Sequence, residues 1–252
     1  MKEIILNKLK EIEEKENVKI IHCIESGSRA WGFASPDSDY DVRFIYMRPI
    51  EHYLRLDETR DVIEWQLDDT LDINGWDLQK LFKLLYKSNP TVFEWNGSSI
   101  VYKTTDEWQN ISKIINNYFV KKSGLYHYLN MARTNYRQYL KDDLVILKKY
   151  FYVLRPILAC KWILSKGTPP PMLFEVLVEN CLEDNLKNEV YKLLDAKINN
   201  PEIKKAPKIS ILNDYIIKSF EELEFILDNY KNDANNKWDN LNELFISLIM
   251  KQ

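Results

Sequence analysis

Ten residues separate a Gly27-Ser28 pair from an Asp39-Tyr40-Asp41 triplet, and together they describe a place where a phosphate and a divalent cation can meet. On a strand alternate side chains share a face, so Asp39 and Asp41 are expected to project side by side with Tyr40 turned away. Two carboxylates at that spacing repel. They persist as anions in water or around a cation, and a hard oxygen-only donor set favours Mg²⁺ or Mn²⁺. The Gly-Ser pair follows a β-branched stretch and opens a short helical segment from Ser28 to Gly32. Gly27 lets a phosphate approach the backbone, the helix start offers N–H donors, and Ser28 and Arg29 can add contacts.

The elements that must hold these groups are legible in outline. Residues 2–16 read as an amphipathic helix with Ile4, Ile5, Leu9 and Ile12 near helical spacing. VKIIHCIE (18–25) and DYDVRFIYM (39–47) read as strands either side of the GSRAWG break, with Pro36, Asp37 and Ser38 leading into the second. DVIEWQL (61–67) and TLDINGW (70–76) read as a hairpin turned near Asp68 and Asp69. Asp77 is placed to cap a helix striped by Leu78, Leu81, Phe82 and Leu85, and Pro90 sits where a first helical residue would. From about residue 106 the β signal fades. Helical periodicity then dominates in 106–120, 124–141, 143–166, 172–182, 186–197, 209–230 and 238–250, with breaks at TPPPM (168–172) and NNPEIKKAPK (199–208). The expectation is an α+β chain: a catalytic mixed sheet with flanking helices in residues 1–110, then an all-helical domain in residues 111–252.

Charge follows the same division. Residues 1–110 carry 14 Lys+Arg and 21 Asp+Glu, and residues 111–252 carry 21 and 17. Within the second part, residues 121–166 hold ten Lys+Arg against two Asp+Glu, which points to a polyanion partner or to a solvated basic face. Lys148, Tyr152 and Arg155 fall at i, i+4 and i+7 and are expected on one helix face, with Arg133 and Arg137 on another. Pro156 is expected to kink that helix. A basic face of this kind could neutralise β- and γ-phosphates; the plainer readings are core packing for Tyr152 and solvated surface for Lys149 and Lys161.

ESGSRAWGFASPDSDYDVRFIYM (25–47) resembles the signature of the DNA polymerase beta superfamily of nucleotidyltransferases: a strand, Gly-Ser, a loop, then Asp-hydrophobic-Asp. Within it the chain is similar to a predicted nucleotidyltransferase branch associated with RNA-repair systems. DINGWDLQKLFKLLYKSNPTVFEW (72–95) and KKYFYVLRPILACKWI (148–163) resemble further blocks of that branch. Glu25 departs from the usual apolar residue before Gly-Ser. The resemblance implies a nucleotidyltransferase-type sheet and a third carboxylate on a later strand. Asp72, flanked by Leu71 and Ile73, is the choice, with Asp77, which also reads as a helix cap, and Glu64 behind it. It further implies that Asp39 and Asp41 hold the ion gripping the triphosphate of an NTP, that all three acids share a second ion, and that Asp72 helps position or deprotonate the attacking hydroxyl. Pyrophosphate would leave and NMP pass to an RNA end, a protein hydroxyl or a small molecule.

Other classes fit less well. A DxD glycosyltransferase gives the Gly-Ser loop no phosphate-gripping duty. A nucleotide- or RNA-binding module that keeps the site without turnover is the non-enzymatic alternative. His22, His52 and His127 show no ligand spacing, and Cys23, Cys160 and Cys181 form neither a disulfide framework nor a zinc motif, which fits a reducing cytoplasm. No apolar run approaches the ~18 residues a membrane helix needs, the first 17 residues lack a secretory-signal pattern, and no motif for sequence-specific DNA reading is present.

Overall fold

The computed structural model of the chain describes residues 1–36, 38–68, 70–199 and 205–251. Asp37, Asp69 and residues 200–204, which the sequence reading placed in loops and turns, lie outside the described residues. Two compact units emerge. One comprises Met1–Ala30, Asp39–Tyr118 and Asn235–Gln252, the other Trp31–Ser38 and Phe119–Ala234. The division is therefore not one cut at 110/111: a short early loop joins the helical unit and the last helix joins the sheet unit.

In the first unit, helix α1 (Lys2–Glu16) buries Ile5, Leu9 and Ile12, one stripe at helical spacing. Strand β1 (Lys19–Glu25), the single turn α2 (Gly27–Ala30), strand β2 (Tyr40–Met47), the turn α3 (Ile50–Tyr53), strands β3 (Val62–Asp68) and β4 (Leu71–Asp77), helices α4 (Leu78–Tyr86) and α5 (Pro90–Asn96), strand β5 (Val101–Thr104) and helix α6 (Asp106–Ile115) follow in order. Among the described residues the sheet runs β3-β4-β2-β1-β5. The β2–β4 pair is parallel and the others antiparallel. The stripe of α1 packs with Val42, Phe44 and Tyr46 of β2 and with Ile73 of β4. Because strand side chains alternate, Asp41 and Arg43 stand on the opposite face of β2. The expected hairpin is present as β3–β4. Strand β5 was not anticipated: at four residues on the sheet edge it is too short to show a period.

The second unit holds α7 (Lys121–Tyr139), the two-residue strand β6 (Leu144–Val145), α8 (Tyr150–Lys166), α9 (Phe174–Cys181), α10 (Asp184–Asn199), the two-residue strand β7 (Ala206–Pro207) and α11 (Ser210–Asn229). The pairing of β6 with β7 corrects the all-helical expectation in a small way. Helix α8 is buried almost all round, through Phe151, Val153, Leu154, Ile157, Leu158, Ala159 and Cys160, as the central helix of a bundle should be. It begins seven residues later than its periodicity indicated and runs through Pro156 without a break. Phe33, from the early loop, joins this core beside Phe151 and Phe174, with ring centroids 5.0 and 5.5 Å away.

The last helix, α12 (Asp239–Ile249), belongs to the first unit. Trp238 stacks on Tyr86 with centroids 3.8 Å apart, Phe245 meets Phe82 and Tyr53 edge-on, and the Asn236 side-chain amide donates to the Tyr86 carbonyl at 2.8 Å. No helix among the described residues is long and apolar enough to cross a membrane.

Candidate active site

The end of β1 and the start of β2 are tied together at the residues of interest. The Ser26 N–H donates to the Asp41 carbonyl at 2.8 Å, and the Asp41 N–H donates to Glu25 Oε1 at 2.8 Å. Between them Gly27 takes a left-handed φ of +59°. A Cβ added there would lie 1.9 Å from Asp41 Oδ2. The Asp41 carboxylate is thus seated directly on the Gly27 backbone, and glycine is needed both for its conformation and for its missing side chain. Arg29, on the same turn, donates from Nε to the Asp39 carbonyl at 3.0 Å and lies 3.7 Å from the Tyr40 ring centroid. It fastens the turn to the strand, a duty beyond the phosphate contact expected of it. Ser28 is half-buried in this turn, and Asp39 is exposed immediately before β2.

The parallel β2–β4 ladder sets Asp72 in register with Asp41, so the two carboxylates stand side by side on one face. Of the rivals for the third acid, Asp77 lies on the other face and Glu64, opposite Asn74 on the neighbouring strand, is paired away. Asp77, three ladder positions beyond Asn74 and in register with Tyr46, is on the α1 face. It caps α4 by accepting the Gln79 N–H at 2.7 Å and the Tyr53 hydroxyl at 3.1 Å. Glu64 is exposed and paired with Arg60 at 2.5 Å. Burial raises the Asp77 pKa to about 6. A raised folded-state pKa contributes stability that is complete below the unfolded value near 3.8 and is lost as pH rises through about 6. Wild type is therefore expected to gain about 1–3 kcal/mol relative to Asp77→Asn between pH 7 and pH 4. Urea unfolding of both proteins across that range measures the difference, and a gap that does not move with pH contradicts the burial.

Sequence reasoning missed the residue at the centre of this face. Arg43 Nη2 donates to Asp41 Oδ1 and to Asp72 Oδ2, both at 2.8 Å, and Nη1 donates to the carbonyls of Val42 and Asp72, both at 3.1 Å. The signal was available: Arg43 is two residues beyond Asp41 on the same strand and so must share its face. The Asp41 carboxyl is held above its usual range, chiefly by burial and further by the negative charges of Asp39 and Asp72, while Arg43 opposes the shift. Glu25, fully buried, was also unassigned. It pairs with Val42 in the ladder and therefore reaches under the sheet, accepting the Asp41 N–H on one oxygen and the Tyr102 hydroxyl on the other. Its pKa is raised, mainly by burial.

Among the described residues no three or more His, Cys, Asp or Glu side chains form a group that could hold a metal ion. Asp39, Asp41 and Asp72 offer the oxygen-only chemistry a hard cation prefers, but the place where Asp41 and Asp72 would close on a shared ion is taken by the Arg43 guanidinium. As a three-carboxylate, two-ion set they do not fit this arrangement. Asp39, exposed just before β2, is near enough for its charge to raise the Asp41 pKa.

Lys148, Tyr152 and Arg155 belong to the helical unit, and they do not share the expected helix face. Lys148 is exposed in a 3₁₀ turn over Leu147–Lys149, ahead of α8. Arg155 is 2% exposed, its guanidinium carbon 4.7 Å from the Trp31 ring centroid. Tyr152 meets the same indole edge-on at 5.6 Å. A cation stacked on an indole in a core is a packing device, so two of the three residues expected to grip phosphates hold Trp31 instead. Arg133 is paired with Glu224 at 2.5 Å. Of the histidines, His22 is buried and stacked on Trp108, its pKa lowered to about 4 by burial, and His127 packs edge-on to Tyr128. Cys23 and Cys160 are buried, and burial pushes both thiols up.

Comparison with known proteins places the chain among relatives and a family. "Uncharacterized protein YcgL" of Bacillus subtilis (strain 168) is 44% identical over 253 residues, covering 99% of this chain and 96% of its own. Among solved structures, a nucleotidyltransferase-like protein from Exiguobacterium sibiricum 255-15 aligns at 15% identity and a TM-score of 0.31, over 96% of this chain and 79% of that one. Spectinomycin adenyltransferase AAD(9) from Enterococcus faecialis, solved with ATP and spectinomycin, aligns at 12% identity and a TM-score of 0.45, over 88% and 98%. The model of the RlaP family, described as the RNA repair pathway DNA polymerase beta family, matches residues 1–247. The chain that carries this glycine turn and this pair of aspartates belongs to the RlaP family, the RNA repair pathway DNA polymerase beta family.

Proposed function

We propose that this chain is a metal-dependent nucleotidyltransferase that moves NMP from an NTP to a hydroxyl acceptor and releases pyrophosphate. The observation that carries the reading is Asp41, seated on Gly27 and in register with Asp72: the phosphate-approach turn and the acidic pair meet at one residue. Asp39 and Asp41 would hold Mg²⁺ or Mn²⁺, which when bound supplies positive charge to the triphosphate. The Gly27–Ala30 turn receives phosphate oxygens on its backbone, with Ser28 adding a hydroxyl. Asp72, half-exposed beside Asp41, orients the acceptor hydroxyl and takes its proton as the hydroxyl oxygen bonds to the α-phosphorus. The bond from that phosphorus to the bridging oxygen breaks, and pyrophosphate leaves with the electron pair. Of the basic strip, Lys148 is exposed, whereas buried Arg155 and half-buried Tyr152 pack against Trp31. RNA ends, protein hydroxyls and small molecules are all chemically suitable acceptors, and three widely spaced cysteines suit a cytoplasmic setting.

Incubating the protein with each α-labelled NTP and Mg²⁺ or Mn²⁺, against total RNA and total protein, tests the reading. Label is expected to enter one pool in step with pyrophosphate release. Binding of NTP with no pyrophosphate formed over long incubation would instead assign a binding module without turnover.

A further inference from the structure

We infer that Arg43 occupies the place of a second metal ion, so that the site takes one divalent cation rather than two. This rests on the nucleotidyltransferase reading of the site. The guanidinium spans Asp41 and Asp72, touching one oxygen of each at the same distance. A shared ion would have to stand in that position to be bound by both acids. Arg43 is not a loose counter-charge. Its other nitrogen is bonded to the main-chain carbonyls of Val42 and Asp72, on two strands in the middle of the sheet, which do not rearrange when a side chain turns. The side chain is only 18% exposed. An arginine cannot shed its charge, and its planar fork is pre-organised for two carboxylates at once. Displacing it would strand a cation and break two charge-assisted hydrogen bonds and two to backbone.

Charge arithmetic agrees. Asp39, Asp41 and Asp72 bring three negative charges, and Arg43 cancels one. The remaining two match a single divalent cation on the Asp39 and Gly27 side of Asp41. Arg43 is thereby a positioning residue: it holds Asp72 toward Asp41 without an ion between them, leaving Asp72 to serve the acceptor hydroxyl.

The test counts ions. Mn²⁺ alone is titrated into the full-length protein and free Mn²⁺ followed by electron paramagnetic resonance. Wild type is expected to bind one ion per chain, Arg43→Met two, and Arg43→Lys, which keeps the charge, one. Two ions on wild type, or one on a folded Arg43→Met protein, overturn the inference while leaving nucleotidyl transfer standing. Should Arg43→Met lose its circular dichroism spectrum, the counts for wild type and Arg43→Lys decide alone. The transfer reading fails by a separate observable, the absence of pyrophosphate release by wild type.

Discussion

Asp41→Asn is expected to lower nucleotidyl transfer by about a thousandfold, the scale on which loss of one pre-organised electrostatic contact acts, while leaving thermal unfolding within a few degrees of wild type. The two halves of that expectation have one physical source. Asp41 is packed against Gly27 and surrounded by Asp39 and Asp72, and burial is the main reason its carboxyl is held above its usual range. The charge is thus unfavourable for the fold. An amide of the same shape keeps the seat on Gly27 and can still accept from Arg43, so packing survives. The pH dependence has a matching sign. A raised folded-state pKa means that wild type gains stability as pH falls through that value toward the unfolded one, and the Asn variant should lack this gain. Release of pyrophosphate from labelled NTP and a thermal melt of both proteins measure the pair. Retained turnover, or a collapsed melting transition, contradicts the placement of Asp41 at the chemistry.

Gly27→Ala should lose activity and stability together, and this separates a seat from a mere loop. At φ +59° any residue with a Cβ carries roughly 1–2 kcal/mol of strain, and the added carbon would stand 1.9 Å from Asp41 Oδ2 and 2.8 Å from its Cγ. No rotamer of alanine relieves this. Either the carboxylate rotates off the turn, or the β1–β2 junction opens and loosens the Ser26 to Asp41 hydrogen bond. The expected cost is about 2–3 kcal/mol in urea unfolding, with transfer reduced at least as far as in Asp41→Asn. Combining Gly27→Ala with Asp41→Ala removes the obstructing Oδ2 and Cγ. The double variant should recover the steric part of the stability loss but not the conformational part, and none of the activity. Strict additivity would mean that the two residues do not press on each other.

The elements of the site differ in how far they could be read ahead. Gly-Ser followed by Asp-Tyr-Asp is a local pattern, and its chemistry follows from residue type and the two-residue period of a strand. Asp77 declared itself as a cap through the apolar stripe just after it. Arg43 was within reach of the same alternation that paired Asp39 with Asp41, and reading two residues further along β2 would have found an arginine on the acidic face. Glu25 was not within reach, because its role depends on β1 lying antiparallel to β2 with its carboxylate beneath the Asp41 N–H. Arg155 misled for a related reason: helical spacing shows which side chains share a face, and only packing shows whether that face meets water or Trp31.

From order and spacing alone came an α+β chain, a turn expected to admit phosphate and the acids that could draw a cation, while the resemblance to the nucleotidyltransferase signature supplied Asp72 as the next acid to consider. These are short-range matters, decided by which conformations neighbouring residues permit. Tertiary structure decided that β4 lies parallel to β2 with Asp72 in register with Asp41, that α12 returns to the sheet-bearing unit, and that a guanidinium stands between the two aspartates. Those outcomes depend on pairings across tens of residues. The free energy of such pairings is set by what each strand and side chain finds opposite it, and a linear sequence does not display that.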